Sequence, residues 1–172
     1  MRAIIVSLMF VGLLAPAAVD AQAAGERPSL GFSVGFWGPL NSSWGSGVTG
    51  RFDAELPFQG PTSVRFTAGF ADLDRGPRGL RRSADLSFAT AGILHRLPGT
   101  PGRLFLHGGL GVYRASNGGS STELGLSGGV GADFPLAMKR VSLVPELTTH
   151  VITGDGPRVS IAATVGLRFG LP

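Results

Sequence analysis

The sequence predicts an all-β protein, an eight-stranded antiparallel up-and-down transmembrane β-barrel with short turns, behind a cleaved signal peptide. Three observations predict it. Residues 122–136 alternate with almost no exception, setting Leu124, Leu126, Val130, Phe134 and Leu136 against Glu123, Ser127 and Asp133. A period of two over that length means a long strand with one apolar and one polar face. Seven further segments repeat the pattern between turn residues, and the chain opens on an export signal. A closed sheet with its oily face outward satisfies every backbone group inside a bilayer.

The first element is residues 1–21, read as the signal peptide. Arg2 supplies a short positive region, residues 3–14 an apolar run, and Val19-Asp20-Ala21 a small-x-small cleavage site. The run of about 12 residues is short of the roughly 20 that a spanning helix needs. Residues 22–29 form an N-terminal extension, and residues 30–170 the barrel domain. Removing Arg2 and Asp20 leaves the net charge at +4, carried by arginines apart from Lys139. With no Cys in the chain there is no disulfide framework, so the sheet or its lipid surroundings must hold the fold.

The strands follow in order. In residues 30–37, Leu30, Phe32, Val34 and Phe36 oppose Gly31, Ser33 and Gly35. Residues 45–58 set Val48, Phe52, Ala54, Leu56 and Phe58 against Thr49, Arg51, Asp53 and Glu55, and residues 62–72 set Val64, Phe66, Ala68 and Phe70 against Arg65, Thr67 and Gly69. Residues 83–96 carry the weakest pattern: Leu86, Phe88 and Leu94 are assigned outward against Asp85 and Ser87, with Ile93 out of step. Residues 103–114 oppose Leu104, Leu106, Leu110 and Val112 to His107, Gly109 and Gly111. After the segment 122–136, residues 141–152 set Val141, Leu143, Leu147 and Val151 against Ser142, Glu146, Thr148 and His150. Pro145 lacks a ladder donor, which predicts a bulge or local break. Residues 158–170 set Val159, Ile161, Val165, Leu167 and Phe169 against Arg158, Ser160, Thr164 and Arg168. Turn chemistry separates these segments, as at Asn117-Gly118-Gly119 and Gly154-Asp155-Gly156-Pro157.

The polar face defines the expected interior. Arg51, Arg65, Arg103, Arg158 and Arg168 stand against Asp53, Glu55, Asp85, Glu123, Asp133 and Glu146, a near balance of charge. The interior of an eight-stranded barrel is just wide enough for side chains to fill, so these groups are expected to pair and plug the lumen. With the mature N-terminus on the periplasmic side, Trp37 and Trp44 fall at the outer rim and Phe58, Phe134 and Phe169 at the inner one, as an aromatic girdle. Arg75, Arg78, Arg81 and Arg82 cluster in the second outer loop, where guanidinium forks suit lipopolysaccharide phosphates.

No residue set points to catalysis or a bound metal. His95, His107 and His150 have no ligand-like spacing. A hydrolase built on His150 would use Glu146 with Ser127 or Ser160, but residues four apart on a strand stand about 13 Å from each other. The pairs Gly108-Gly109 and Gly128-Gly129 lack the spacing and following helix of a nucleotide loop. No cofactor and no nucleic-acid partner is implied.

Through Leu104-Phe105-Leu106-His107-Gly108-Gly109-Leu110-Gly111, Gly128-Gly129-Val130-Gly131-Ala132-Asp133-Phe134-Pro135-Leu136 and Val165-Gly166-Leu167-Arg168-Phe169, the chain resembles the small outer-membrane β-barrel proteins of Gram-negative-type bacteria, the OmpA-like and opacity-protein-like eight-stranded barrels. The resemblance covers most of the mature chain. It implies residence in the cell outer membrane, contact with its lipid and lipopolysaccharide, and delivery by the barrel-assembly machinery, which reads a terminal aromatic residue. Phe169 takes that place here, followed by Gly170-Leu171-Pro172. Lipid A deacylases of this fold carry a His-x-Ser pattern, and none is present. The expectation is a monomeric outer-membrane barrel with a structural or surface-interaction role and no catalysis. Its rivals are a soluble periplasmic ligand-binding β-barrel, with its apolar face inside, and a lipid A-modifying enzyme.

Overall fold

The computed structural model describes residues 27–41, 45–75, 82–99, 103–116, 120–138, 140–154 and 156–172. The signal peptide, most of the N-terminal extension, Trp44, Arg78 and Arg81 lie outside them, as do the side chains of Arg75 and Arg82. The strands are β1 (Ser29–Pro39), β2 (Gly47–Gln59), β3 (Thr62–Arg75), β4 (Arg82–Arg96), β5 (Leu104–Ser116), β6 (Ser120–Ala132), the two-residue β7 (Phe134–Pro135), β8 (Val141–Ile152) and β9 (Arg158–Gly170). Each long strand pairs antiparallel with its neighbours in sequence, and β9 returns to β1 to close the sheet. The result is an eight-stranded up-and-down barrel in which β7 prolongs β6. Both described ends of the chain lie at one mouth, called here the terminal mouth; the β1–β2, β3–β4, β5–β6 and β8–β9 connections lie at the opposite, loop mouth.

The apolar face looks outward. Leu124 is 67% exposed and Val130 50%, whereas Asp133, on the alternate parity of the same segment, is 4% exposed. Phe52, Phe70, Leu110, Leu147 and Val165 continue this exterior belt around the other strands. Monomeric proteins in water rarely carry so continuous an apolar surface, and acyl chains are the environment in which it costs nothing. A soluble ligand-binding barrel would present the inverse arrangement.

Two local features depart from regular pairing. The β2–β3 register shifts between Pro57 and Gln59. The β6–β8 ladder stops at Gly131↔Glu146 and resumes in the same register at Phe134↔Leu143, so Ala132 and Asp133 face Val144 and Pro145 without ladder pairing. Proline has no N–H to give. The disturbance expected at Pro145 is therefore a break on the β6 side alone, because the β8–β9 ladder runs through it.

β4 is turned the other way round from the expectation. Leu86, Phe88 and Leu94 are buried in the lumen, while Asp85, Ser87, Ile93 and His95 are exposed. Directly opposed residues of an antiparallel pair share a face, and Phe88 opposes Gly69 of β3, which points inward. A Cβ on Gly69 would stand 2.5 Å from the Phe88 Cζ. The ring occupies space that the glycine leaves open, and that packing, rather than the hydropathy of β4 itself, sets its orientation.

Candidate functional site

The charged side chains of the inward face converge in the half of the lumen nearer the terminal mouth. Glu146, from β8, is the hub: its carboxylate lies 2.7 Å from Arg51 Nη2 of β2 and 2.8 Å from Arg65 Nη1 of β3. It also lies 3.0 Å from His107 Nε2 and accepts a 2.8 Å hydrogen bond from Thr148 Oγ1. Arg65 donates from Nε to Asp53 Oδ1 at 3.1 Å, and Thr67 donates to the same oxygen at 2.7 Å. Arg51 donates from Nε to Ser33 Oγ at 2.9 Å.

A second set lies closer to the mouth. Glu55 bridges Arg96 of β4 (2.7 Å) and Arg168 of β9 (2.6 Å), and Asp133 pairs with both of those arginines. The Phe105 ring lies beneath Arg168 and Arg65, 5.2 and 5.9 Å from their guanidinium carbons, within cation–π range. Arg51, Arg65, Arg96 and Arg168 are thus matched by Asp53, Glu55, Asp133 and Glu146. A buried charge without a partner is strongly destabilising, and here each has one.

Nearer the loop mouth the filling changes character. Trp37, fully buried, stacks on the His150 imidazole with centroids 4.3 Å apart, and Phe88 and Tyr113 pack around the same imidazole. A 2.9 Å hydrogen bond joins the Tyr113 hydroxyl to His150 Nδ1. Leu73, Leu86, Ile152 and Ala162 complete this apolar cap. Between the cap and the charged cluster remains a cavity of about 20 Å³, lined in part by Arg51, Arg65, His107 and His150. A water needs at least about 10–15 Å³, so the space is of the order of one water.

The structure brings Arg51, Asp53, Glu55, Arg65, Asp133, Glu146 and Arg168 together. Glu123 and Arg158 form a separate 2.9 Å pair at the loop mouth. Two expected members do not join. Asp85 faces outward because of the β4 orientation, directly across from Asp72 of β3. Arg103 sits exposed in the turn before β5 at φ +42°.

Trp37 is no girdle residue: on β1 the odd positions point inward, and it plugs the lumen instead. Phe58, Phe134 and Phe169 are exposed on the exterior, and Phe169 stacks on Phe32 with centroids 6.3 Å apart. Arg75 and Arg82 oppose each other at the end of the β3–β4 ladder. Missed by the sequence reasoning were Arg96 and the inward rings of Phe88, Phe105 and Tyr113. Phe105 and Tyr113 were legible, standing on the odd positions of a strand whose even positions are Leu104, Leu106, Leu110 and Val112.

His150, considered as a catalytic base, is enclosed by aromatic rings and hydrogen-bonded to Tyr113. Ser127 and Ser160 are its ladder partners on the two flanking strands, and the buried Ser160 hydroxyl has no hydrogen-bond partner among the described residues. Among the described residues no group of acidic, His or Cys side chains is arranged to hold a metal ion.

An outward-oily, eight-stranded barrel with a packed polar interior defines the class: a small β-barrel of the membrane-spanning kind. No protein-family profile matches the chain, and no curated protein sequence matches it significantly. Solved structures do share its fold. Neisserial surface protein A superposes with a TM-score of 0.63 at 15% identity, over 84% of this chain and 96% of that one. The Yersinia pestis outer membrane protein Ail gives 0.57 at 14% identity, over 84% and 100%. A major outer membrane protein of Thermus thermophilus gives 0.57 at 18% identity, over 84% and 98%. The chain has the fold of the small outer-membrane β-barrels.

Proposed function

We propose that this chain is an exported, monomeric outer-membrane β-barrel with a structural or surface-interaction role, carrying no catalytic centre and passing no solutes. The observation that carries this reading is the filled lumen. Four arginines are neutralised by four carboxylates, an aromatic cap lies above them, and between the two is room for about one water. The test is a folded sample in detergent. A heat-dependent mobility shift on a gel, together with no steady conductance in planar bilayers, is the expected result. Step-like ionic currents would overturn the closed lumen.

The surface contact proposed is with lipopolysaccharide phosphates, through Arg75, Arg78, Arg81 and Arg82. Support comes from the β3–β4 ladder, whose last described pair sets Arg75 opposite Arg82. Changing the four to Ser is expected to lower affinity for lipopolysaccharide micelles at low salt, and unchanged binding would remove the contact. Assembly is proposed to depend on Phe169 at the end of β9. Phe169→Ala is expected to slow insertion by the barrel-assembly machinery, and an unchanged rate would remove that role.

A further inference from the structure

The terminal mouth holds a feature that neither lumen closure nor the loop-mouth arginines require. Arg27, Arg96, Arg103, Arg140 and Arg168, with Asp133, line an open cavity of about 240 Å³. Arg96 and Arg168 form its floor and are held by Glu55 and Asp133. The other three arginines are exposed, and among the described residues none makes an ion pair. The charged cluster beneath is already balanced, four arginines to four carboxylates. Among the described side chains the mouth therefore carries an excess of three positive charges around an open bowl.

The backbone supplies an independent observation. Two residues other than glycine have positive φ among the described residues, Arg103 at +42° and Arg140 at +75°, and both line this bowl. Such conformations are uncommon for side chains with a Cβ and gather at functional sites. Each is pinned by its carbonyl: Arg103 O accepts from the Asp133 amide (3.4 Å) and Arg140 O from the Gly170 amide (2.8 Å). Main-chain bonds thus hold both residues at the rim, and among the described residues their guanidinium groups have no partner.

We infer that this vestibule binds a phosphate polyanion, either an oligophosphate in solution or several lipid headgroup phosphates together at the membrane edge. Several guanidinium forks around one bowl suit the many oxygens of such an anion, and the surplus charge matches its own. The far smaller space deeper in the lumen makes this a site of capture at the mouth and gives the anion no path through.

The test titrates sodium triphosphate into the full barrel folded in non-ionic detergent at low salt, followed by calorimetry. Saturable binding is expected, with no saturating signal for sodium chloride at matched ionic strength. In the Arg103→Gln/Arg140→Gln variant, which removes charge but keeps each Cβ and its backbone constraint, affinity is expected to fall at least about tenfold, in line with loss of two charge-assisted contacts. Arg27→Gln, changed ahead of β1, is expected to weaken binding in the same direction and serves if the double variant fails its heat-mobility check. Absence of saturable triphosphate binding, or equal affinity in a folded variant, overturns the site. Doping the micelles with phosphatidylglycerol separates the sources. Competition assigns the site to lipid headgroups and no competition to soluble oligophosphate, and either supports it.

Discussion

The Phe105 ring covers Gly131, its direct partner across β5 and β6, so closely that a Cβ on Gly131 would stand 2.3 Å from the ring's Cζ. The same pairing recurs with His107 over Gly129, where the gap would be 2.7 Å, and with Phe88 over Gly69. These three inward glycines are therefore seats for aromatic rings, a small-against-large match that fills a narrow interior.

Gly131→Ala is expected to cost about 1–3 kcal/mol, the usual penalty for overpacking. Urea unfolding of the barrel in micelles measures it. Gly128→Ala, outward-facing, where an added Cβ would meet nothing nearer than 3.6 Å, is the control and should leave the midpoint unchanged. Equal effects at the two positions would show that the ring does not constrain Gly131.

Glu146→Gln leaves Arg51 and Arg65 short of their shared carboxylate in the interior. The expected loss is about 3–5 kcal/mol, because it leaves buried charge uncompensated. Glu123→Gln breaks only the more exposed pair with Arg158 and should cost less in the same unfolding experiment. The reverse ranking would mean that the central cluster is not what holds the interior.

Trp37 and Trp44 are the two tryptophans of the chain. In a Trp44→Phe variant, Trp37 reports alone. Its fluorescence is expected to be blue-shifted and little quenched by brominated lipid chains, since its ring is fully buried beside His150. Strong bromine quenching would return it to the lipid-facing girdle. Trp37→Ala should cost about 3–5 kcal/mol through the cavity it leaves.

Arg140 holds a conformation that glycine adopts freely. Arg140→Gly should raise stability by about 1–2 kcal/mol, the strain of a left-handed residue bearing a Cβ. A fall in the urea midpoint would mean that the side chain contributes more to folding than its backbone strain removes.

Asp85→Asn should change stability by less than about 0.5 kcal/mol, as for surface sites elsewhere. Asp53→Asn, in the lumen beside Arg65, should cost several times more. Similar losses would contradict the orientation of β4.

Alternation reveals the strands and which residues share a face, and Gly, Pro and Asn clusters reveal the turns, since a period of two admits one parity wherever one face is oily and the other charged. Trp37 was within reach of the same rule, lying two residues beyond Gly35 on the inward face of β1. β4 was not. Leu86, Phe88 and Leu94 stand on one parity and Ile93 on the other, with small alanines between, so hydropathy cannot choose. The choice is made by Gly69 across the ladder, a neighbour that no window along β4 contains.

Sequence by itself determined a barrel of this strand number, oily toward its surroundings, with most of its ionised groups enclosed, because those properties are local to each strand. The tertiary structure alone decided which charges meet and what closes the loop mouth. Glu146 reaches Arg65 across 81 positions and Asp133 reaches Arg168 across 35. Arg96 enters the cluster only once β4 has turned its even positions inward. Such partners face one another across the lumen, so their distances exist only after β9 has paired with β1 and closed the sheet.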